Sequence, residues 1–297
     1  MFDLRYHVAS LAAVFLALII GILVGVGISD RGLVDSTRTK LLEGRVASLQ
    51  QQLDRSGRQS TDRERELLAG RAFVNEAYPV LMRNRLRGKK VAVVFVGSID
   101  GGVRAAVTDA LDAAGAGEQL RLRALKAPID ISQVTAALAK EPAAAGLRGR
   151  QNVEALGRAL GQELMLGGET PLWNALTEAV VQQQDGGSNK TPADGVVVVR
   201  TAEPQRGPTS RFLLGLYAGL ASTSAPAVGA ETTDAADSAT KVFRQNGLST
   251  VDDVDTPIGR LALALLLAGG PSGQYGVKDS AGGGPLPPLP SATAAGG

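Results

Sequence analysis

The chain has 297 residues, 44% of them hydrophobic and 20% charged, which is enough for one sizeable core with appendages. A net charge of +2 without long basic runs speaks against nucleic acid as a partner. With no cysteine and a single histidine, His7, the chain has no disulfide, thiolate metal site or cysteine nucleophile, and a Ser-His-Asp triad would need a histidine lying beside an apolar run.

That apolar run, Val8 to Ile28, holds 21 residues without a charge. As a helix it would measure ~31 Å, the thickness of a bilayer's hydrocarbon core. A cleavable signal usually has a shorter apolar region and an A-x-A-like site. The exit here reads GVGISDRG, so residues 1–29 are expected to be an uncleaved transmembrane signal anchor. Gly21 and Gly25, four apart, suit a helix dimerisation face, although glycine is common both in membrane helices and throughout this chain. Orientation stays open. Arg31, Arg38, Lys40 and Arg45 after the span, counted literally, would keep the large domain in the cytoplasm. Single-span anchors with so short a leading tail usually export the remainder of the chain, so the residues alone leave the side unsettled.

Residues 30–87 read as a helical stalk. Leu42, Val46, Leu49 and Leu53 alternate at spacings of four and three, an a/d seam of about two heptads that points to a parallel coiled coil and a homodimer. The seam fails at Ser56 and Ser60 and partly resumes at Leu67 and Val74. The alternative is a single amphipathic helix lying on its own domain. The basic junction Arg83 to Lys90 is expected to be a solvated run.

From 88 to 278 the pattern is α/β. Val91–Val96 is a continuous β-rich apolar run, succeeded by GSIDGG and a helical stretch, as in a buried parallel strand entering a helix. Leu120–Leu125 reads as a second strand with exposed arginines. Helical patterns cover Ile131–Lys140, Asn152–Met165 and Leu172–Gln184, and DGGSNKTPADG is a surface loop. Val196–Arg200 is a strand, Arg211–Ser222 a helix, and Ala225–Glu231 a fourth strand. A short strand or turn from Ser249 precedes a helix opened by Thr256-Pro257. The fold expected is a Rossmann-like three-layer domain with a mostly parallel sheet. Residues 279–297 form a Pro/Gly-rich tail, expected to be disordered.

GSIDGG lacks the Gly-Lys-Ser/Thr of a P-loop and the spacing of a dinucleotide fingerprint. Ligands of open parallel sheets bind beyond the carboxyl ends of the strands. The residues placed there are Ser98, Asp100, Thr201, Glu203, Glu231, Thr232, Asp252, Asp253 and Asp255, an acidic set suited to a hard cation or a basic partner segment. Helix capping accounts for several of them, Asp255 and Thr256 above all. No general acid/base constellation stands at recognisable spacing, so an enzyme is not expected.

LRYHVASLAAVFLALIIGILVGVG near the amino terminus, and STVDDVDTPIGRLALALLLAG with GQYGVK near the other end, resemble the actinobacterial copper transport protein B family, MctB, over nearly the whole chain. The resemblance implies a non-enzymatic, membrane-anchored cell-envelope protein linked to copper homeostasis, with its α/β domain outside the cytoplasmic membrane. It also implies, for some relatives, a membrane partner protein in envelope assembly and division. Copper as a ligand rests on the resemblance alone. Cu(I) prefers thiolate and thioether and Cu(II) imidazole, whereas the residues offer no cysteine, one histidine and methionines only at 1, 82 and 165.

Overall fold

A computed structural model describes residues 4–27 and 31–289. The chain divides into two units, 1–70 and 71–297. The first holds α1 (Leu4–Gly27) and most of α2 (Arg31–Met82). Tyr6–Gly27 is a 22-residue stretch of mean hydropathy 2.8 with none of it buried, long and apolar enough to cross a membrane. α2 runs through the polar break at Ser56 and Ser60 without interruption. Hydroxyl bonds back to the preceding turn, such as Thr61 Oγ1 to the Gly57 carbonyl at 3.0 Å, accommodate the small polar residues there.

The second unit opens with the last turns of α2. Met82 and Leu86, which fall inside the expected stalk, are fully buried in the domain core, with Tyr78 and Leu81 packed beside them. The seven-stranded sheet has the order β3-β2-β1-β4-β5-β6-β7. Its strands are β1 (Val91–Val96), β2 (Leu120–Leu125), β3 (Val181–Gly186), β4 (Gly195–Arg200), β5 (Ala227–Ala230), β6 (Ser249–Val251) and β7 (Gln274–Tyr275). All neighbours are parallel except β2 and β3. The Rossmann-like, mostly parallel α/β architecture expected from the sequence is therefore present.

Helices cover both faces. On one lie α4 (Ile131–Leu138), α5 (Val153–Leu166), α6 (Pro171–Val180), α7 (Gly207–Leu220) and α8 (Thr240–Gln245), contributing Trp173, Phe212 and Phe243 to the core. On the other lie α3 (Gly101–Ala113), α9 (Pro257–Leu267) and the end of α2. β1 is buried at every position, which is why it reads as an unbroken Val-rich run rather than an alternation.

Three local expectations are corrected. The helix expected to reach Gln184 stops at Val180, and residues 181–186 become an antiparallel edge strand on β2. Its Gln and Asp side chains are exposed, as an edge requires. The arginines of β2 are not exposed, because the loop after β3 closes over Arg121 (3% exposed) and Arg123 (4%). Of the expected tail, 279–289 stays on the domain: Gly283 N–H donates to the Gln274 carbonyl at 2.8 Å, Leu286 packs on the core and Pro287 is buried. Residues 290–297 lie outside the described residues.

Candidate functional site

Beyond the carboxyl ends of the strands, the nominated residues fall into two groups. Ser98, Asp100, Thr201 and Glu203 come after β1 and β4, where the strand order reverses. In an open sheet that reversal leaves a crevice. Here the two loops are bonded to each other. The N–H groups of Thr201 and Ala202 both donate to the Val96 carbonyl, at 3.0 and 2.9 Å, and the Thr201 hydroxyl donates to the Ser98 carbonyl. A Cβ on Gly97, whose φ is +108°, would stand 2.7 Å from the Ala202 nitrogen, so only glycine allows this approach. Asp100 caps α3, accepting from Val103 N–H at 3.0 Å, and Glu203 is exposed.

The second group does converge. Glu231, at the end of β5, is 5% exposed and accepts from Lys278 Nζ at 2.8 Å, from the Ser238 hydroxyl at 2.8 Å and from Ala239 N–H at 2.8 Å. Lys278 Nζ also donates to the Thr232 carbonyl. Asp252, at the end of β6, accepts from Val277 N–H at 2.9 Å, from Lys278 N–H at 3.3 Å and from the Ser280 hydroxyl at 3.2 Å. These two carboxylates fasten segment 276–280 over the ends of the strands. The basic group that meets Glu231 here is Lys278 of the same chain.

Asp253 is 0% exposed. Burial, with the charges of Asp252 and Asp255 added, pushes its carboxyl above the ordinary range, against one bond from the Thr256 hydroxyl at 2.9 Å. Its Oδ1 has no partner. Asp255 goes the other way. Burial alone would raise it, but the Thr233 hydroxyl at 2.6 Å and N–H at 2.8 Å, helped by Lys278, hold it below the ordinary range. Thr256 caps α9 by accepting from Gly259 N–H at 3.0 Å. Among the described residues, no three His, Cys, Asp or Glu side chains are placed to hold a metal ion.

The two sequence motifs thus have definite structural work. VDDVDTP ends β6, caps α9 and, with GQYGVK, closes the strand ends. The profile of the copper transport outer membrane protein family, MctB, matches residues 1–285. The chain belongs to the MctB family. Among curated proteins, none matches it.

Among the described residues, the histidine and methionine side chains are not brought together as a copper site would need. His7 stands at the start of the apolar helix, Met82 and Met165 are core residues at 0% and 2% exposure, and no two of the three are neighbours in one cluster. A thioether enclosed by aliphatic carbon packs as a hydrophobe. Outside the head, the seam residues Leu42, Val46, Leu49 and Leu53 are 53–71% exposed, and a Cβ on Gly21 or Gly25 would have no atom within 4 Å. Lys278 and the hydroxyls that complete the strand-end cluster carry no sequence signal of their role, since nothing local ties Lys278 to Glu231, 47 residues earlier.

Proposed function

We propose that this MctB chain is a non-enzymatic, single-pass envelope protein of copper homeostasis, anchored by α1 with its α/β head on the extracytoplasmic side, and that it influences copper by recruiting a membrane partner rather than by carrying the ion. The observation that carries this reading is the pairing of a family match over 1–285 with a donor set in which both described methionines are buried core residues. The strand-end cleft, where such a fold would bind a ligand, is held shut by the chain's own Lys278. The free seam on α2 supports a stalk homodimer, and a dimeric stalk would present two heads to one partner.

Competition against a chromophoric Cu(I) chelator tests the copper arm on the full chain in neutral detergent. No copper is expected to transfer to the protein at micromolar concentration. Stoichiometric transfer would sink the indirect reading and favour direct copper carriage. Crosslinking in intact cells, read by mass spectrometry, tests the partner, with a reproducible membrane protein expected at the head or stalk. Labelling of Ser56→Cys with a membrane-impermeant maleimide tests sidedness, with reaction in unbroken cells expected.

A further inference from the structure

The buried arginines of β2 carry more than a loop needs. Arg123 donates from Nε to the Asn189 side chain at 3.1 Å, from Nη1 to the Leu122 and Asp185 carbonyls at 2.8 and 2.9 Å, and from Nη2 to the Gly187 carbonyl at 2.6 Å. One N–H of Nη2 stays uncommitted. Arg121 donates from Nη1 to the Ser188 and Thr191 carbonyls, yet its buried Nε and Nη2 have no partner. A guanidinium with idle donors out of water is costly unless an ion or water completes it.

Arg123, but not Arg121, lines a cavity of about 530 Å³ together with Thr170, Asn174, Thr177, Lys190 and the loop 184–189. Thr170 is 3% exposed, and its hydroxyl makes no hydrogen bond among the described residues. It stands at the N-cap position of α6, but the capping is done by Glu163, which accepts from Leu172 and Trp173 N–H at 3.1 and 2.9 Å. Its backbone is left-handed, with φ +45°, a strained state for a β-branched residue and one that clusters at binding sites. The local charge is basic. Arg123 is near Asp185, which Arg104 also engages at 3.4 Å, Arg121 is near Asp194, whose carboxylate accepts from Lys90 N–H, and Lys190 adds a further cation to the cavity wall. Burial lowers the pKa of both guanidiniums, and the charge of Arg121 lowers that of Arg123 further, so an added anion would be stabilising.

We propose that this pocket binds a phosphate-type oxyanion, as in a phosphate monoester, with Arg123 and Lys190 supplying charge and the Thr170 hydroxyl a hydrogen bond. The site lies at the β2–β3 edge and is separate from the strand-end cleft. Of the remaining wall, which includes the Asp185 carboxylate, Asn174, Thr177 and Ser188 offer amide and hydroxyl groups to the organic part of the ester.

The test uses the full chain in neutral maltoside micelles. Trp173, the only tryptophan and three residues from Thr170, serves as the fluorescent reporter of unfolding. Inorganic phosphate is titrated against chloride at matched ionic strength, with parallel arms of a soluble hexose 6-phosphate and of nanodiscs containing phosphatidate to separate a soluble from a lipid source. A saturable rise in Tm is expected in the phosphate arm and at lower concentration in one ester arm. Lys190→Gln is expected to raise the half-saturating concentration about fivefold or more. Thr170→Gly, which suits the left-handed backbone, is expected to keep or raise the unliganded Tm while weakening the response. Equal Tm in phosphate and chloride across all arms, or both variants responding like the parent chain, would overturn the proposal.

Discussion

Gly157 of α5 lies directly against the backbone of Phe212 in α7, so close that a Cβ there would stand 2.0 Å from the Phe212 carbonyl oxygen. The relationship is reciprocal. Gly161 faces Leu216, while a Cβ on Gly215 or Gly219 of α7 would stand 1.9 or 2.2 Å from the carbonyl oxygen of Glu154 or Arg158, respectively. Two glycine pairs, each spaced by four, let the helices meet backbone to backbone, a device best known between membrane helices.

Gly215→Ala is therefore expected to force the helices apart and destabilise the head by about 1–3 kcal/mol, the usual cost of overpacking. Gly57→Ala, in α2 with nothing within 4 Å, is expected to stabilise its helix by roughly 0.5–1 kcal/mol. Thermal unfolding monitored by circular dichroism checks both, and similar shifts from the two variants would refute the close-packing account.

Asp253 gives a pH signature. Its folded pKa is raised, so its contribution to stability is fully present below the unfolded value of about 3.9 and is lost as pH rises through the folded value. Asp253→Asn keeps the shape and removes the charge. The variant is expected to gain stability relative to the parent as pH rises from about 4 towards 7, and the gain should persist at neutral pH. Urea unfolding at several pH values measures this difference, which cancels the opposite slope contributed by Asp255. A difference independent of pH would show that Asp253 is not strained by its charge.

The layered fold was legible because its signals are local. Val91–Val96 and Val196–Arg200 are too short and too β-branched for helices, and Thr256-Pro257 announces α9 by cap chemistry. What escaped depends on distant chain. Val181–Gly186 continues the apolar pattern of α6 into polar residues, and only pairing with β2 makes it a strand. Arg121 and Arg123 alternate with apolar residues as solvent-facing side chains do in an edge strand, and it is a loop over 60 residues later that buries them. The acidic residues at the strand ends were found, but their meaning turned on Lys278, whose contact with Glu231 no spacing encodes.

The strand-end clamp can be opened at one atom. In Lys278→Met the aliphatic stem remains and the ammonium is lost, leaving Glu231, 5% exposed, with only the Ser238 hydroxyl and Ala239 N–H as donors. A loss of about 1.5–3 kcal/mol is expected, the range for hydrogen bonds to charged groups. Hydrogen exchange should quicken at Val277 and at position 278, whose amides bond to Asp252. Unchanged protection there would mean that Asp252 alone holds the segment.

The register of the stalk sets where a second copy can touch it. From Leu42 the spacing of four and three passes through Val46, Leu49, Leu53, Ser56, Ser60, Arg63, Leu67, Gly70, Val74, Ala77 and Leu81 without a skip. Leu81, with Tyr78 one position on from Ala77, packs on the core of the head, so the end of this stripe is already used within its own chain. A second stalk can occupy only the earlier part, where Leu42, Val46, Leu49, Leu53 and Leu67 are exposed. Because the chain has no native cysteine, single substitutions read the contact cleanly. Leu49→Cys, on the seam, is expected to crosslink into a disulfide dimer under mild oxidation in membranes, whereas Gln51→Cys, on the opposite face of the heptad, is expected to stay monomeric. Val74→Cys, in the turn that leads into the head, is expected to crosslink less than Leu49→Cys. Equal crosslinking at 49 and 51 would reflect random collision and remove the case for a parallel stalk dimer.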